Sequence, residues 1–463
     1  MVAGNCHQPM ISLGEYQNRC FLILGLGRAG MTLANSLLRA GIKVYGYDDS
    51  AEMLNSNKVK RLSALGLEVV KDFCGLVEPV VVASPGFAAT HQAVRYWTEK
   101  GVPVYDELDF VSQFVPGVII AVTGTNGKST TVALIGKILK NAGYNVFVGG
   151  NLAPGRPFST SLLLPPRDFY VAEVSSFQLA RAKFLKPRVA VLLNITDDHL
   201  DRHSSFDNYA ATKARIFSRQ GAEDYAVVNY DDPVVRKLVP AINSQVLFFS
   251  LTQRQDGYYK QGWFYFQGQR VAGVRSVVAV GSRFFNLRRL PIIENALAAI
   301  CVAKIFGVPN RSVEKGLRGF KPLAHRLEFV RKFKGVYYIN NSMCTNPMAG
   351  IRSLQAFRRK VILITGGKNK DLPIDDYIQA IVRRAKLVIL LGETTELMAK
   401  KLGEKRFARF QIVATMAEAV KTAVRHAQPR DVVILSPGFA SFDMFQDFQE
   451  RGRVFKNAVK QIK

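Results

Sequence analysis

The residues best suited to chemistry form one run, Val122-Thr123-Gly124-Thr125-Asn126-Gly127-Lys128-Ser129-Thr130. It joins the apolar stretch GVIIA at 117–121 to the helix-like TTVALIGKILKNAG that begins at 130. Successive backbone N–H groups in such a glycine turn make an anion nest. A lysine there reaches β- and γ-phosphates, and a hydroxyl ligates Mg²⁺. The strict phosphate-loop spacing GxxxxGK[ST] puts glycine at 122, where this chain has Val122, so the loop is a variant. A glycine turn that only starts a helix is the plainer alternative.

Two further groups follow apolar strands. Glu173 stands in AEVSSFQL, and Asn194-Ile195-Thr196-Asp197-Asp198-His199-Leu200-Asp201 closes the next strand. Both fall at carboxyl ends of strands, where α/β ligand sites form. A carboxylate and a neutral imidazole are reasonable metal ligands beside phosphate oxygens, although imidazole is less usual for magnesium. A lone histidine is more often a packed or surface residue, but the position of His199 after a strand, beside Asp197 and Asp198, favours ligation. Lys213, in NYAATKARIF, belongs to no motif and reads by itself as a surface lysine.

Nearer the start, the strand-like CFLILG at 20–25 runs into Gly25-Leu26-Gly27-Arg28-Ala29-Gly30, and Asp48 and Asp49 end the next strand. This spacing suits a dinucleotide fold, with an acid on the ribose about 20 residues on, so an NAD-dependent dehydrogenase is one reading. The same turn equally serves strand–helix packing or another nucleotide.

These groups need α/β scaffolds, and three segments supply the pattern of apolar strands alternating with helices. CFLILG, KVYGY at 43–47, VVVAS at 80–84 and VPVYD at 102–106 mark the first. The second holds GVIIAVTG at 117–124, FYVAEVSS at 169–176, VAVLLNIT at 189–196 and YAVVNYDD at 225–232. It is followed by short alternating strands over about 246–290. GVYYIN at 335–340, VILITGG at 361–367, LVILLG at 387–392 and VVILSPG at 432–438 mark the third. Domains are therefore expected at 1–115, 116–321 and 322–463, which suits a length of 463 residues.

The 63 Lys plus Arg against 36 Asp plus Glu give a formal charge of +27. It is uneven: the three segments carry −1, +14 and +14. An anionic partner is implied, but no zinc-finger spacing, RNP-type strand or heptad accompanies the basic clusters, so nucleic acid is disfavoured. A hydrophobic fraction of 48% excludes a disordered chain. No apolar run approaches the ~20 residues of a membrane span, and the first ten residues lack the apolar core of a secretory signal. Cys6, Cys20, Cys74, Cys301 and Cys344 are scattered and never in CxxC spacing, which suits a reducing cytoplasm.

In combination these motifs resemble the Mur ligases, which build the peptide of bacterial peptidoglycan, and within that family the type that adds D-glutamate. The resemblance covers nearly the whole chain and rests on TGTNGKST with LNITDDHLDRH at 193–203. ASPGFA at 83–88, VGGNL at 148–152, SSFQL at 175–179, HRLEFV at 325–330, GGKNKDLP at 366–373 and LSPGFASFDMFQDFQERG at 435–452 support it. It implies an α/β chain with an N-terminal Rossmann-like domain for a uridine nucleotide, a central P-loop-type ATPase domain and a C-terminal Rossmann-like domain for the amino acid. The implied reaction is ATP-dependent amide formation between D-glutamate and UDP-N-acetylmuramoyl-L-alanine, through an acyl phosphate.

Carried over by position, the resemblance places ATP on Gly124, Thr125, Asn126, Gly127, Lys128, Ser129, Thr130, Asn295, Arg326 and Asn341. Two magnesium ions fall to Ser129, Glu173, His199 and a carbamylated Lys213, with Lys128, His199 and Lys213 catalytic. Gly27, Arg28, Asp48, Ser84, Gly86, Asn151 and Ser175 meet the uridine substrate, with Asn194 near the phosphates. Thr345, Lys370, Ser441 and Phe448 meet the glutamate. A monomeric cytoplasmic enzyme acting on small molecules is expected.

Three positions depart from the family pattern. Asn341 stands for an aspartate that holds the ribose, and Met343 for a lysine near the reaction centre. LPIIEN precedes Asn295 where the family has Gly-His-Asn. An amide still accepts a hydrogen bond, whereas a thioether supplies no positive charge. The alternatives are a Mur-like ligase using another amino acid, such as L-glutamate, or another acyl acceptor, and a non-catalytic paralogue.

Overall fold

A computed structural model describes residues 11–152, 155–196, 205–276, 290–318, 320 and 324–462. Strands such as Val80–Ala83, Val189–Leu192 and Val432–Leu435 are buried at every position. Parallel strands covered by helices on both faces are apolar throughout, which is why these runs do not alternate.

The strands assemble into three α/β sheets. The first has the spatial order Glu68–Val69, Lys43–Tyr47, Cys20–Leu24, Val80–Ala83, Val104–Asp106, all parallel. In the second sheet, of nine strands among the described residues, Val118–Thr123 lies between Val189–Leu192 and Phe169–Glu173. An antiparallel run of Gly257–Lys260, Trp263–Phe266 and Gln269–Gly273 extends one edge of that sheet, as expected from its alternating residues. The third sheet runs Glu328–Phe333, Val336–Asn340, Val432–Leu435, Val361–Thr365, Ala385–Leu390, Phe410–Ile412, with only the first strand antiparallel.

In each sheet the chain leaves neighbouring strands in different directions, opening a crevice at their carboxyl ends. Cys20–Leu24 feeds the glycine turn at 25–30, and Val118–Thr123 feeds the phosphate loop. The loops after Val336–Asn340, Val432–Leu435 and Val361–Thr365 share the third crevice.

Helix Lys128–Asn141 is locked down by two glycines. A Cβ on Gly136 would meet Val148 Cγ2 at 2.4 Å, and one on Gly316 would meet Ile138 Cα at 2.7 Å. Any side chain at either place would push the helix off its neighbours, and the phosphate loop would move with it.

Candidate active site

The phosphate loop is pinned on one side by Asn194. The backbone N–H groups of Thr125 and Asn126 donate to Asn194 O and Oδ1, both at 2.8 Å, and Asn194 Nδ2 donates back to Asn126 O at 3.1 Å. Thr125 Oγ1 accepts from Thr196 N–H at 3.0 Å and lies 3.3 Å from Tyr209 OH. Gly127 has φ +90°, and a Cβ there would stand 2.3 Å from Asn295 Oδ1, so the helix carrying Asn295 presses directly on the loop. The loop is fixed before any ligand arrives.

Lys128, the first residue of its helix, donates to the carbonyls of Gly124 (2.9 Å) and Thr125 (3.0 Å). Lys213 Nζ also donates to Gly124 O, at 3.0 Å, and sits 4.5 Å from the centre of the Tyr209 ring. Lys213 is 2% exposed, so its reading as a surface lysine is wrong: helix Phe206–Ala214 points it into the loop. Ser129 and Thr130 are buried at the start of their helix.

Glu173 ends its strand buried at 4% exposure, with no hydrogen-bond partner on Oε2 among the described residues. Thr123 Oγ1, Asn126 Nδ2 and Thr196 Oγ1 are in the same state. Buried polar atoms are nearly always satisfied, so such a group around one loop marks where a polar ligand completes the bonding. Ser129 Oγ and the Glu173 carboxylate are hard oxygen donors, the set that fits Mg²⁺ with water and phosphate supplying the rest. His199 lies outside the described residues.

Lys128, Thr125, Asn151, Ser175, Lys213 and Gly86 line one cleft of about 420 Å³. Asn151 N–H donates to Glu173 O at 2.9 Å, while Ser175 caps helix Ser176–Arg181 through a capping box with Gln178. Ser84 lies against the glycine turn, and a Cβ on Gly25 would meet its Oγ at 2.1 Å.

The third sheet reaches over through Arg326. Its Nη2 donates to Ser129 Oγ at 3.2 Å, and its Nε to Met343 Sδ at 2.9 Å. Burial pulls the guanidinium pKa down, and the charge of Glu173 opposes that fall. Thr345, Lys370 and Ser441 lie in the segments that follow strands Val336–Asn340, Val361–Thr365 and Val432–Leu435, and Phe448 opens helix Phe448–Lys460; between two of these segments Cys344 O accepts from Gly438 N–H at 3.0 Å.

Other expected contacts are taken up inside the protein. Arg28 donates to the carbonyls of Leu152 and Gly155, both at 2.9 Å, which ties the glycine turn to the second segment. Asp48 accepts from Leu26 N–H at 2.7 Å and so braces that turn, next to Gly27 at the helix N-cap. Asn341 is 8% exposed, accepting from Leu327 N–H and donating to Ser436 Oγ, both at 3.1 Å.

The sequence reading missed Tyr209, Asn229, Glu294 and Arg451. Asn229 Nδ2 joins Leu193 O at 2.9 Å to Glu294 Oε1 at 2.7 Å, beside Asn295. Burial raises the Glu294 pKa. Arg451 is buried and donates to the carbonyls of Ser342 (2.9 Å), Phe439 and Ala440 (both 3.1 Å); burial lowers its pKa to about 10. Each of these residues lies in a run the sequence singles out, Tyr209 in NYAATKARIF, Asn229 at the head of NYDD, Glu294 in LPIIEN and Arg451 in FQERG, but nothing local marks the residue itself.

Comparison with known proteins agrees with this geometry. The chain matches the Mur ligase middle domain over residues 122–303 and the Mur ligase glutamate ligase domain over 325–439. It is 40% identical to a UDP-N-acetylmuramoylalanine–D-glutamate ligase of Pelotomaculum thermopropionicum, covering 97% of this chain and 99% of the relative. A ligase of the same name from Caldanaerobacter subterraneus is 36% identical, covering 97% and 100%. Among solved structures, the UDP-N-acetylmuramate–alanine ligase of Thermotoga maritima superposes with a TM-score of 0.61 at 17% identity, covering 96% of this chain and 100% of that one. The MurF ligase of Thermotoga maritima in complex with ADP gives 0.60 at 19% identity, covering 96% and 95%.

Proposed function

The chain belongs to the Mur ligase family, and from that membership we propose that it joins D-glutamate to UDP-N-acetylmuramoyl-L-alanine at the cost of ATP, in peptidoglycan precursor synthesis. The observation that carries the ligase reading is the phosphate loop ringed by the unsatisfied polar atoms of Thr123, Asn126, Glu173 and Thr196. The choice of D-glutamate is supported by relatives of that name along the full length of the chain.

A carboxylate is a poor electrophile, so it must first be activated by taking the γ-phosphoryl group of ATP. The backbone N–H groups of 127–130, at the start of helix Lys128–Asn141, cradle the phosphates, and Lys128 meets the charge that grows on the transferred group. Ser129 and Glu173, with His199 and a carbamylated Lys213, would hold two magnesium ions. Bound there, such ions would screen the repulsion between the two anions. Asn151 and Ser175 line the wall for the acyl substrate, and the amine of glutamate enters from Thr345, Lys370, Ser441 and Phe448. Arg326 spans the gap between the two sides.

The same proposal assigns 1–115 to the uridine substrate, 116–321 to ATP and 322–463 to the amino acid. No helix among the described residues is long and apolar enough to cross a membrane. A cytoplasmic monomer acting on small molecules suits this reading.

One observation keeps a second reading open. Asn341 turns inward, and Met343 supplies no charge where the family has lysine, which favours altered nucleotide or amino-acid preference. Phosphate release with ATP, Mg²⁺ and UDP-N-acetylmuramoyl-L-alanine, with D- or L-glutamate, separates the two. Release that depends on D-glutamate supports the first; release that depends on neither isomer sinks it.

A further inference from the structure

Asp106 ends the last strand of the first sheet and is 1% exposed. Its Oδ1 caps the helix that follows, accepting from Leu108 N–H at 2.9 Å, and also accepts from Gln178 Nε2 at 3.2 Å. Gln178 is itself buried, and its Oε1 accepts both Ser175 N–H and Ser175 Oγ–H at 3.0 Å. Three residues further along the same helix, the Arg181 guanidinium donates to Phe87 O and stands within electrostatic reach of Asp106. Ser175 lines one wall of the cleft, and Pro85 and Gly86, next to Phe87, line another.

A single buried carboxylate therefore anchors, through Gln178, the helix that carries Ser175 at its cap and Arg181 against Phe87 O, and so backs both walls. We propose that Asp106 is a positioning residue that, through Gln178 and Arg181, sets the spacing between Ser175 and the Pro85–Phe87 loop for the uridine-linked acyl substrate. Removing the negative charge weakens the bond to Gln178, and with it the seat of the helix from which Arg181 grips the loop. The loop then loosens, while the phosphate loop and its lysines stay in place. The effect falls on substrate binding rather than on phosphoryl transfer.

The charged groups around Asp106 set how this responds to pH. Burial raises its pKa to about 7; the charges of Glu107 and Asp109 add to the rise, and Arg181 opposes it. Arg28 faces Glu107 across the same boundary, and Arg219 faces Asp109. As pH falls through this range Asp106 takes up a proton and its negative charge is lost.

The assignment of the cleft to the acyl substrate rests on the function proposed above, so the test has one arm that does not need it. In hydrogen exchange on the unliganded full chain, Asp106→Asn and Arg181→Gln should both speed exchange over 84–90. In steady-state assays, both should raise KM for UDP-N-acetylmuramoyl-L-alanine about fivefold to tenfold with kcat within about twofold, and Arg181→Lys should recover part of the loss. That KM should rise in the wild type as pH falls through about 7, and should not do so in Asp106→Asn. Unchanged exchange over 84–90 in Arg181→Gln, a partly exposed site that tolerates substitution, overturns the positioning role. So does a fall in kcat at constant KM. Faster exchange in an enzyme that forms no product would instead retain the positioning role and reject the substrate assignment.

Discussion

Lys128 and Lys213 share one acceptor: both ammonium groups donate to Gly124 O, at 2.9 and 3.0 Å. Two cations on one carbonyl repel, and Lys213 is too buried for water to screen the pair fully. Carbamylation of Lys213, as proposed above, would turn one of these cations into an anion and supply an oxygen ligand. Activity should then fall when dissolved CO₂ is stripped from the enzyme and return with bicarbonate. Lys213→Ala should lose about 10²- to 10³-fold in kcat and regain part of it with a small added carboxylic acid. Full activity in Lys213→Ala would end the carbamate reading.

Arg326 links Ser129 on the phosphate loop to Met343 on the opposite side. A charged donor bonded across the site is worth more than a neutral one, whereas thioether sulfur is a weak acceptor. Arg326→Ala is expected to lower kcat/KM for ATP by about 10- to 100-fold, and Met343→Leu by about two- to threefold. ATP titrations on the purified variants check both. Losses that add in the double variant would mean that Met343 acts directly on substrate and not by orienting Arg326.

The phosphate loop and Glu173 are legible in the sequence because strand, turn and helix are local, and their spacing fixes where each group stands. Lys213 is not, since it meets Gly124 from 89 positions away and only the tertiary fold brings them together. Tyr209 is hidden for the same reason. Arg28 and Asp48 have the spacing of ligand contacts, and the fold also uses both to hold the glycine turn in place. Spacing identifies a residue's neighbourhood; it does not say whether backbone or ligand takes the hydrogen bond. Asn341 shows the limit most clearly, because an amide that suits a ribose also suits Leu327 N–H and Ser436 Oγ.

Gly127 should resist substitution where Gly403 does not. At Gly127 the backbone has φ +90°, and a Cβ would overlap Asn295 Oδ1. Gly403 lies inside helix Thr395–Glu404, and a Cβ there meets nothing within 4 Å. Gly127→Ala is expected to cost about 1–3 kcal/mol and to abolish ATP binding, while Gly403→Ala gains about 0.5–1 kcal/mol. Urea unfolding and nucleotide titration measure both effects. A Gly127→Ala protein that binds ATP normally would show that the loop is not preformed.

Glu107 makes the stability of the protein depend on pH in a predictable direction. It is 2% exposed and accepts from Ser159 N–H; burial raises its pKa to about 7, and the Ser159 bonds and the charge of Arg28 oppose that rise. Below its unfolded value near 4.5 both states are protonated, and the group has no effect on the balance. Between there and about 7 the native state keeps a proton that the unfolded chain has released, so stability falls as pH rises. Above that range the cost of a buried charge is fully present. Asp106 and Asp109 shift the same way and reinforce the trend. Urea unfolding from about pH 5 to about pH 8 should show a declining free energy, and Glu107→Gln should flatten part of the decline. If wild type and variant instead fall in parallel, Glu107 is charged throughout, and the Arg28 side of the boundary holds it more strongly than its burial implies.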